Sequence, residues 1–158
     1  MMTGNSYLNC SDESIRRHVR EEHRQINAEL DKLFACCLGE QHGCDSQTDW
    51  KKIRERVHHL RENMAHHFRE EEEGSCLDEA VARRTTLGPE AREIEREHPE
   101  LLAELDGLIS WLDDEPPLET TLQIARTRLN AFAENLQRHE VREDALIRRG
   151  VGGFGEDD

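Results

Sequence analysis

Two pairs of the form His-x-x-x-Glu, His67/Glu71 and His139/Glu143, stand out beside two further histidines, His23 and His98. Residues four apart share one face of a helix, so each pair is a two-toothed set of ligands. Four imidazoles and two carboxylates without sulfur suit iron, manganese or zinc and disfavour Cu(I). Six ligands are too many for one tetrahedral zinc. Two ions bridged by Glu71 and Glu143 use them better, because a carboxylate has two oxygens and can span two cations.

The residues around these six define the elements that must position them. Val19, His23, Ile26, Leu30, Leu33 and Cys37 form one series stepping by fours and threes. Ile53, Val57, Leu60, Met64, His67 and Glu71 form a second, and Ile94, His98, Leu101, Leu105, Leu108 and Leu112 a third. The fourth is Leu118, Leu122, Ala125, Leu129, Phe132, Leu136, His139, Glu143 and Leu146. Such a step marks the buried seam of a bundle helix. Each helix therefore aims one histidine inward, and two add a glutamate one turn on. An unpaired polar group in a core costs roughly 2–7 kcal/mol. Six together exceed a typical domain stability of about 5–15 kcal/mol, so something must compensate them. Mutual hydrogen bonding of core histidines and glutamates is the bland alternative to a metal centre.

Glycine and proline set the boundaries. The first helix is expected over about 11–38, with Ser11 or Asp12 as N-cap, and the second over about 47–73. A short helical piece is expected near 76–83. Gly88-Pro89 opens a third long helix, running to about Leu112, and the fourth spans about 118–149. Residues 1–11 read as an N-terminal extension, 12–149 as one domain and 150–158 as a disordered, glycine-rich acidic tail. Short first and last connections make neighbours antiparallel, so the expected fold is all-α, an up-down-up-down four-helix bundle. In that topology all six groups fall at one end. Measured from the first connection at ~1.5 Å per residue, His23 and His67 lie at heights that agree within about 8 Å.

An internal repeat supports two facing hairpins. Residues 22–33 align without gaps to 97–108, with Glu22, His23, Ala28, Glu29, Leu30, Asp31 and Leu33 matched by Glu97, His98, Ala103, Glu104, Leu105, Asp106 and Leu108. His67-Phe-Arg-Glu-Glu71-Glu72 is echoed by His139-Glu-Val-Arg-Glu143-Asp144.

Charged residues make up 35% of the 158 and aromatics 4%, with a net charge of −14. That suits a helical domain with long solvated faces and argues against nucleic acid or an anionic membrane as partner. No stretch approaches the ~18 apolar residues of a membrane span. The first ten residues lack the basic start and apolar run of a secretory signal, so a cytoplasmic location is expected. Cys10, Cys36, Cys37, Cys44 and Cys76 show no CxxC spacing and read as thiols. Of these, Cys10 and Cys76 fall near the metal end.

With these residues in place, the chain resembles the hemerythrin-like domains of the HHE cation-binding family. The resemblance lies in Glu-Glu-His23-Arg-Gln-Ile, in His67 to Glu72, in Glu-His98-Pro-Glu-Leu-Leu, and in His139 to Asp144, and it covers about residues 12–148. It implies a four-helix bundle holding a non-haem di-iron centre that binds oxygen, nitric oxide or peroxide, or that senses iron. Two departures accompany it. Oxygen-carrying members place a second histidine four residues after the one on the third long helix, where this chain has Leu102. They also place an aspartate five residues after the histidine of the last helix. Asp144 stands there, but Glu143 keeps the seam and Asp144 lies ~100° around the helix. Glu143 is therefore the preferred ligand and Asp144 its substitute.

The remaining histidines fit lesser roles. His18 is off the seam, as an outer group or a solvated one. His58, His59 and His66 flank the second seam, and His42 is in a loop. Glu55/His58 and Glu95/His98 have the Glu-x-x-His spacing of ferritin-like centres. The first is off the seam, while Glu95 is placed to orient His98 from outside. Glu72 reads as part of a solvated helix end. The function expected is binding of a small oxidant at a di-iron centre, for sensing, storage or detoxification. The other reading is a non-catalytic module that reports metal occupancy to a protein partner. The sequence does not choose between an enzyme and a binding protein.

Overall fold

The computed structural model describes residues 12–38, 46–73 and 76–151. Four long helices, α1 (Asp12–Leu38), α2 (Ser46–Glu72), α4 (Gly88–Asp114) and α5 (Glu119–Val151), are joined with a short α3 (Cys76–Arg83) and a 3₁₀ turn at Thr85–Leu87. Ser11, His42, Cys10, Cys44, the side chains of Cys36 and Cys37, and the tail from residue 152 lie outside the described residues.

The neighbours are α1 with α2, α2 with α4, α4 with α5 and α5 with α1, which is a closed square of antiparallel helices. The apolar seams meet inside it. Ile26, Leu30, Leu33, Ile53, Val57, Leu60, Met64, Leu101, Leu105, Leu108, Leu112, Leu129, Phe132 and Leu136 form one buried cluster. Trp50 closes its far end by donating its indole N–H to the Leu112 carbonyl, 3.1 Å away, which satisfies an orphan acceptor of the last turn of α4.

A second apolar cluster, Val19, Leu77, Ala80, Leu87, Ala91, Ile94, Leu146, Ile147 and Val151, closes the opposite end. Leu77 and Ala80 place α3 in this lid. His23 and His98 follow Val19 and Ile94 by one turn and precede Ile26 and Leu101, and His67 and His139 follow Met64 and Leu136, so the polar layer lies between two apolar clusters, one step in from the bundle end.

Two details differ from the sequence reading. The fourth seam starts at Ala125: Leu118 is 55% exposed and Leu122 only half-buried. The Thr121 hydroxyl takes the inward position there, accepting from the Leu118 N–H at 2.8 Å and lying 2.7 Å from the Pro116 carbonyl, which fixes the entry to α5. And α5 continues through Gly150 to Val151, past the expected end at Arg149. Val151 is buried in the second cluster. A Cβ on Gly150 would lie 2.4 Å from Ala80 Cβ and 2.6 Å from its Cα, so the missing side chain is what lets α3 approach.

Candidate metal centre

All six predicted groups come together in the buried polar layer. His23 and His67 are 6% exposed, Glu71 5%, and His98, His139 and Glu143 1% each. They form two overlapping sets: His23, His67, Glu71 and Glu143, and His98, His139, Glu71 and Glu143. Within each set one ligand atom per residue lies within 4.8 Å of all the others. The two glutamates belong to both.

The Nε2 atoms face these glutamates in an ordered way. Glu71 presents Oε1 to His67 Nε2 at 2.6 Å and Oε2 to His98 Nε2 at 3.1 Å. Glu143 presents Oε1 to His23 Nε2 at 3.6 Å and Oε2 to His139 Nε2 at 3.2 Å. Each carboxylate thus gives one oxygen to each histidine pair. The short distances do not amount to hydrogen bonding throughout. The Nε2 atoms of His23, His98 and His139 and both oxygens of Glu143 are buried without hydrogen-bond geometry. Buried polar atoms are rarely left so. Nitrogen and carboxylate lone pairs that converge without donor–acceptor alignment fit a cation, and the donor set is one that takes iron, manganese or zinc.

Charge supports the same fit. Burial pushes the Glu71 carboxyl up, with the like charge of Glu143 adding to it. Burial acts likewise on Glu143, but the imidazoles of His139 and His23 outweigh it and hold that carboxyl well below the usual range. Burial disfavours the imidazolium forms of His23 and His67 too. Asp144 with Glu143, and Glu22 with Glu71, overcome it and raise both rings to about 10. His98 is raised in the same manner by Glu71 and Glu72 against its burial. The surrounding carboxylates thus favour positive charge in this layer.

Phe68, which the seam pattern passed over, packs flat on His98 with ring centroids 4.0 Å apart and lies edge-on to His139 at 5.7 Å. Glu140 was also not anticipated. It is 8% exposed and accepts from Asn27 Nδ2 at 2.9 Å. That amide also reaches the His23 carbonyl at 2.8 Å, so it ties α5 to α1 beside the centre.

The other candidates take outer places. Asp144 is 37% exposed and stands 3.4 Å from His23 Nδ1, away from the shared oxygens. His18 is 65% exposed and pairs with Glu22. His58, His59 and His66 are exposed. The Nδ1 atom of His98 meets Glu72 at 3.1 Å, where the sequence pointed to Glu95. The last turn of α2 packs beside α4, so an acid from the neighbouring helix reaches a ring that Glu95, on the same helix, does not. Glu72 is half-exposed yet bonded, which corrects its reading as a solvated residue. Leu102 packs against the apolar cluster. Cys76 opens α3 half-buried near the centre; burial, then the charges of Glu22, Glu143 and Glu71, pushes its thiol up to about 12. Without a metal, these neighbours favour the thiol form.

No curated protein and no solved structure gives a match to the chain. A family description does: the hemerythrin HHE cation binding domain, over residues 14–149. That span contains all four long seams and every member of the buried His/Glu layer. Fold, histidine spacing and this match agree, and the chain belongs to the hemerythrin HHE cation-binding domain family.

Proposed function

We propose that His23 and His67 hold one metal ion, His98 and His139 a second, and that Glu71 and Glu143 bridge them. Iron is the ion we assign, manganese and zinc being compatible with the same donors. The observation that carries this is the division of each glutamate's two oxygens between the two histidine pairs. Each ion would then be held by two imidazole nitrogens and two carboxylate oxygens of the protein. Such a pair of ions, when bound, supplies reversible or redox binding of a small oxidant: O2, NO or peroxide. With Leu102 in place of a further imidazole, the protein would supply one nitrogen fewer, which favours sensing, storage or detoxification over oxygen carriage. The protein's own part is to keep the layer dry. The two apolar clusters and α3 cover it on either side, so only small molecules suit it.

The same enclosure supports a second reading, a module whose metal occupancy is reported to a protein partner. Anaerobic purification, metal quantitation and an optical spectrum before and after exposure to O2 test both. About two irons per chain and a new charge-transfer band favour the first. Two irons with an unchanged spectrum favour the second. A chain that takes up no metal removes both.

A further inference from the structure

Each of the four rings in the buried layer has a second nitrogen, and each Nδ1 faces an acid outside the six. Glu22 Oε2 lies 2.9 Å from His67 Nδ1, and Glu97 Oε2 lies 3.9 Å from His139 Nδ1. Glu72 Oε1 lies 3.1 Å from His98 Nδ1, and Asp144 Oδ1 lies 3.4 Å from His23 Nδ1.

The arrangement follows the internal repeat. Glu22 and Glu97 each precede a histidine of their own helix, yet serve the histidine of the partner helix in the same hairpin. Glu72 and Asp144 each follow a central glutamate and serve a histidine of the opposite hairpin. The four acids thus link α1 to α2, α4 to α5, α2 to α4 and α5 to α1, which are the four contacts of the bundle. Two of them are themselves held: Glu97 accepts from Arg142 at 2.6 Å, and Glu22 is met by His18 at 3.1 Å.

We infer, on the basis of the dimetal reading above, that Glu22, Glu72, Glu97 and Asp144 are positioning residues. Glu72 meets His98 Nδ1 in hydrogen-bond geometry. The other three stand 2.9–3.9 Å from Nδ1 atoms that make no hydrogen bond here, and would accept from them once the rings ligate through Nε2, fixing tautomer and ring plane. A histidine that ligates through one nitrogen donates the other to such an acceptor, and removing the acceptor typically lowers metal affinity ~10–100-fold. The assignment gives Asp144 a role other than that of a bridging ligand. It also separates Glu72 from Glu70 and Glu73, its acidic neighbours on the same turn.

The test uses the full chain loaded with Zn(II), a diamagnetic probe, with 15N-labelled histidine. Zinc affinity by chelator competition, zinc stoichiometry and the imidazole Nδ1–H resonances are read for the wild type. They are read again for Glu22→Ala, Glu72→Ala, Glu97→Ala and Asp144→Ala, and for the Gln or Asn counterparts. All four positions are partly exposed, and circular dichroism verifies folding. Two zinc ions should remain per chain, with affinity lowered about 10–100-fold in the alanine variants and partly restored by the amides, which keep an acceptor oxygen. Each substitution should move the Nδ1–H resonance of its own histidine: His67, His98, His139 and His23 respectively. Wild-type affinity with unmoved resonances in the alanine variants overturns the inference while leaving the dimetal centre standing. So does a fall to one zinc in Asp144→Asn, which would make Asp144 a ligand. A wild type that binds no zinc or iron removes the dimetal reading itself.

Discussion

Glu71 and Glu143 lie on α2 and α5, in different hairpins, and share the same four histidines between them. Each turns one oxygen to the pair His23/His67 and the other to the pair His98/His139. Burial and the charge of Glu143 oppose ionisation of Glu71, whereas His139 and His23 outweigh burial at Glu143; two cations between the acids would favour the charged form of both.

Removing the charge of either should therefore empty the centre. Glu71→Gln and Glu143→Gln keep the volume and lose the bridging anion. Metal content measured after loading should fall from about two ions towards one or none. Glu70→Gln, on the exposed face of α2, should leave it at two. Full occupancy in both central variants would contradict bridging.

Metal should stabilise the fold by mass action. At a hundredfold excess over Kd the gain is about 2.7 kcal/mol, and at 2–4 °C per kcal/mol for a domain of this size the melting temperature should rise by roughly 5–10 °C. Calorimetry of metal-free and loaded protein measures it. Equal melting temperatures, with metal loss verified, would argue against a centre built into the core.

The metal-free protein should lose stability as pH rises. His23 and His67 are raised from 6.5 to about 10 in the fold. Their contribution is fully present below pH 6.5, declines above it and is gone once pH passes 10. Thermal melts between pH 6.5 and 10 should fall steadily for the metal-free form and much less for the loaded one. Loading at pH 7 should also release the protons of these two rings, since metal binds neutral imidazole. Titration calorimetry in buffers of different ionisation enthalpy counts them. A metal-free melting temperature that climbs over this range would contradict the assignment.

Phe68→Ala should separate packing from ligation. The ring lies 4.0 Å from the His98 ring, fully within the apolar cluster. Its loss should cost about 3–5 kcal/mol in urea unfolding. Because no donor atom is removed, two ions should still bind, though more weakly.

Gly150→Ala should disturb the lid from a distance. Its Cβ would meet the Ala80 backbone at 2.6–2.8 Å, and backbone cannot rotate aside. We expect a loss of about 1–3 kcal/mol, with α3 displaced and faster amide exchange at Leu77 and Ala80. Unchanged exchange there would show that α3 does not depend on this approach.

The four-helix bundle was legible in the chain because a 4,3 step of apolar residues has few ways to be buried. The six central groups were legible because they occupy that same step, and burial leaves charged or polar side chains little choice of partner. Helix ends were less so. Thr121 took an inward place from Leu122 through local hydrogen bonds to Pro116 and Leu118 that the apolar step does not register, and Gly150 lengthened α5 because α3 packs against it, which depends on which chain segment lies alongside. The outer acids show the same division. The repeat contains Glu22 and Glu97 before their histidines and Glu72 and Asp144 after the central glutamates, so the residue types were present in the sequence. Which ring each would meet was not, because all four approaches cross between helices. Spacing along one helix determines which face a side chain takes. That is why Glu143 rather than Asp144 reaches the middle; only the packing of one helix on another decides what a face meets, and so Glu72 rather than Glu95 holds His98.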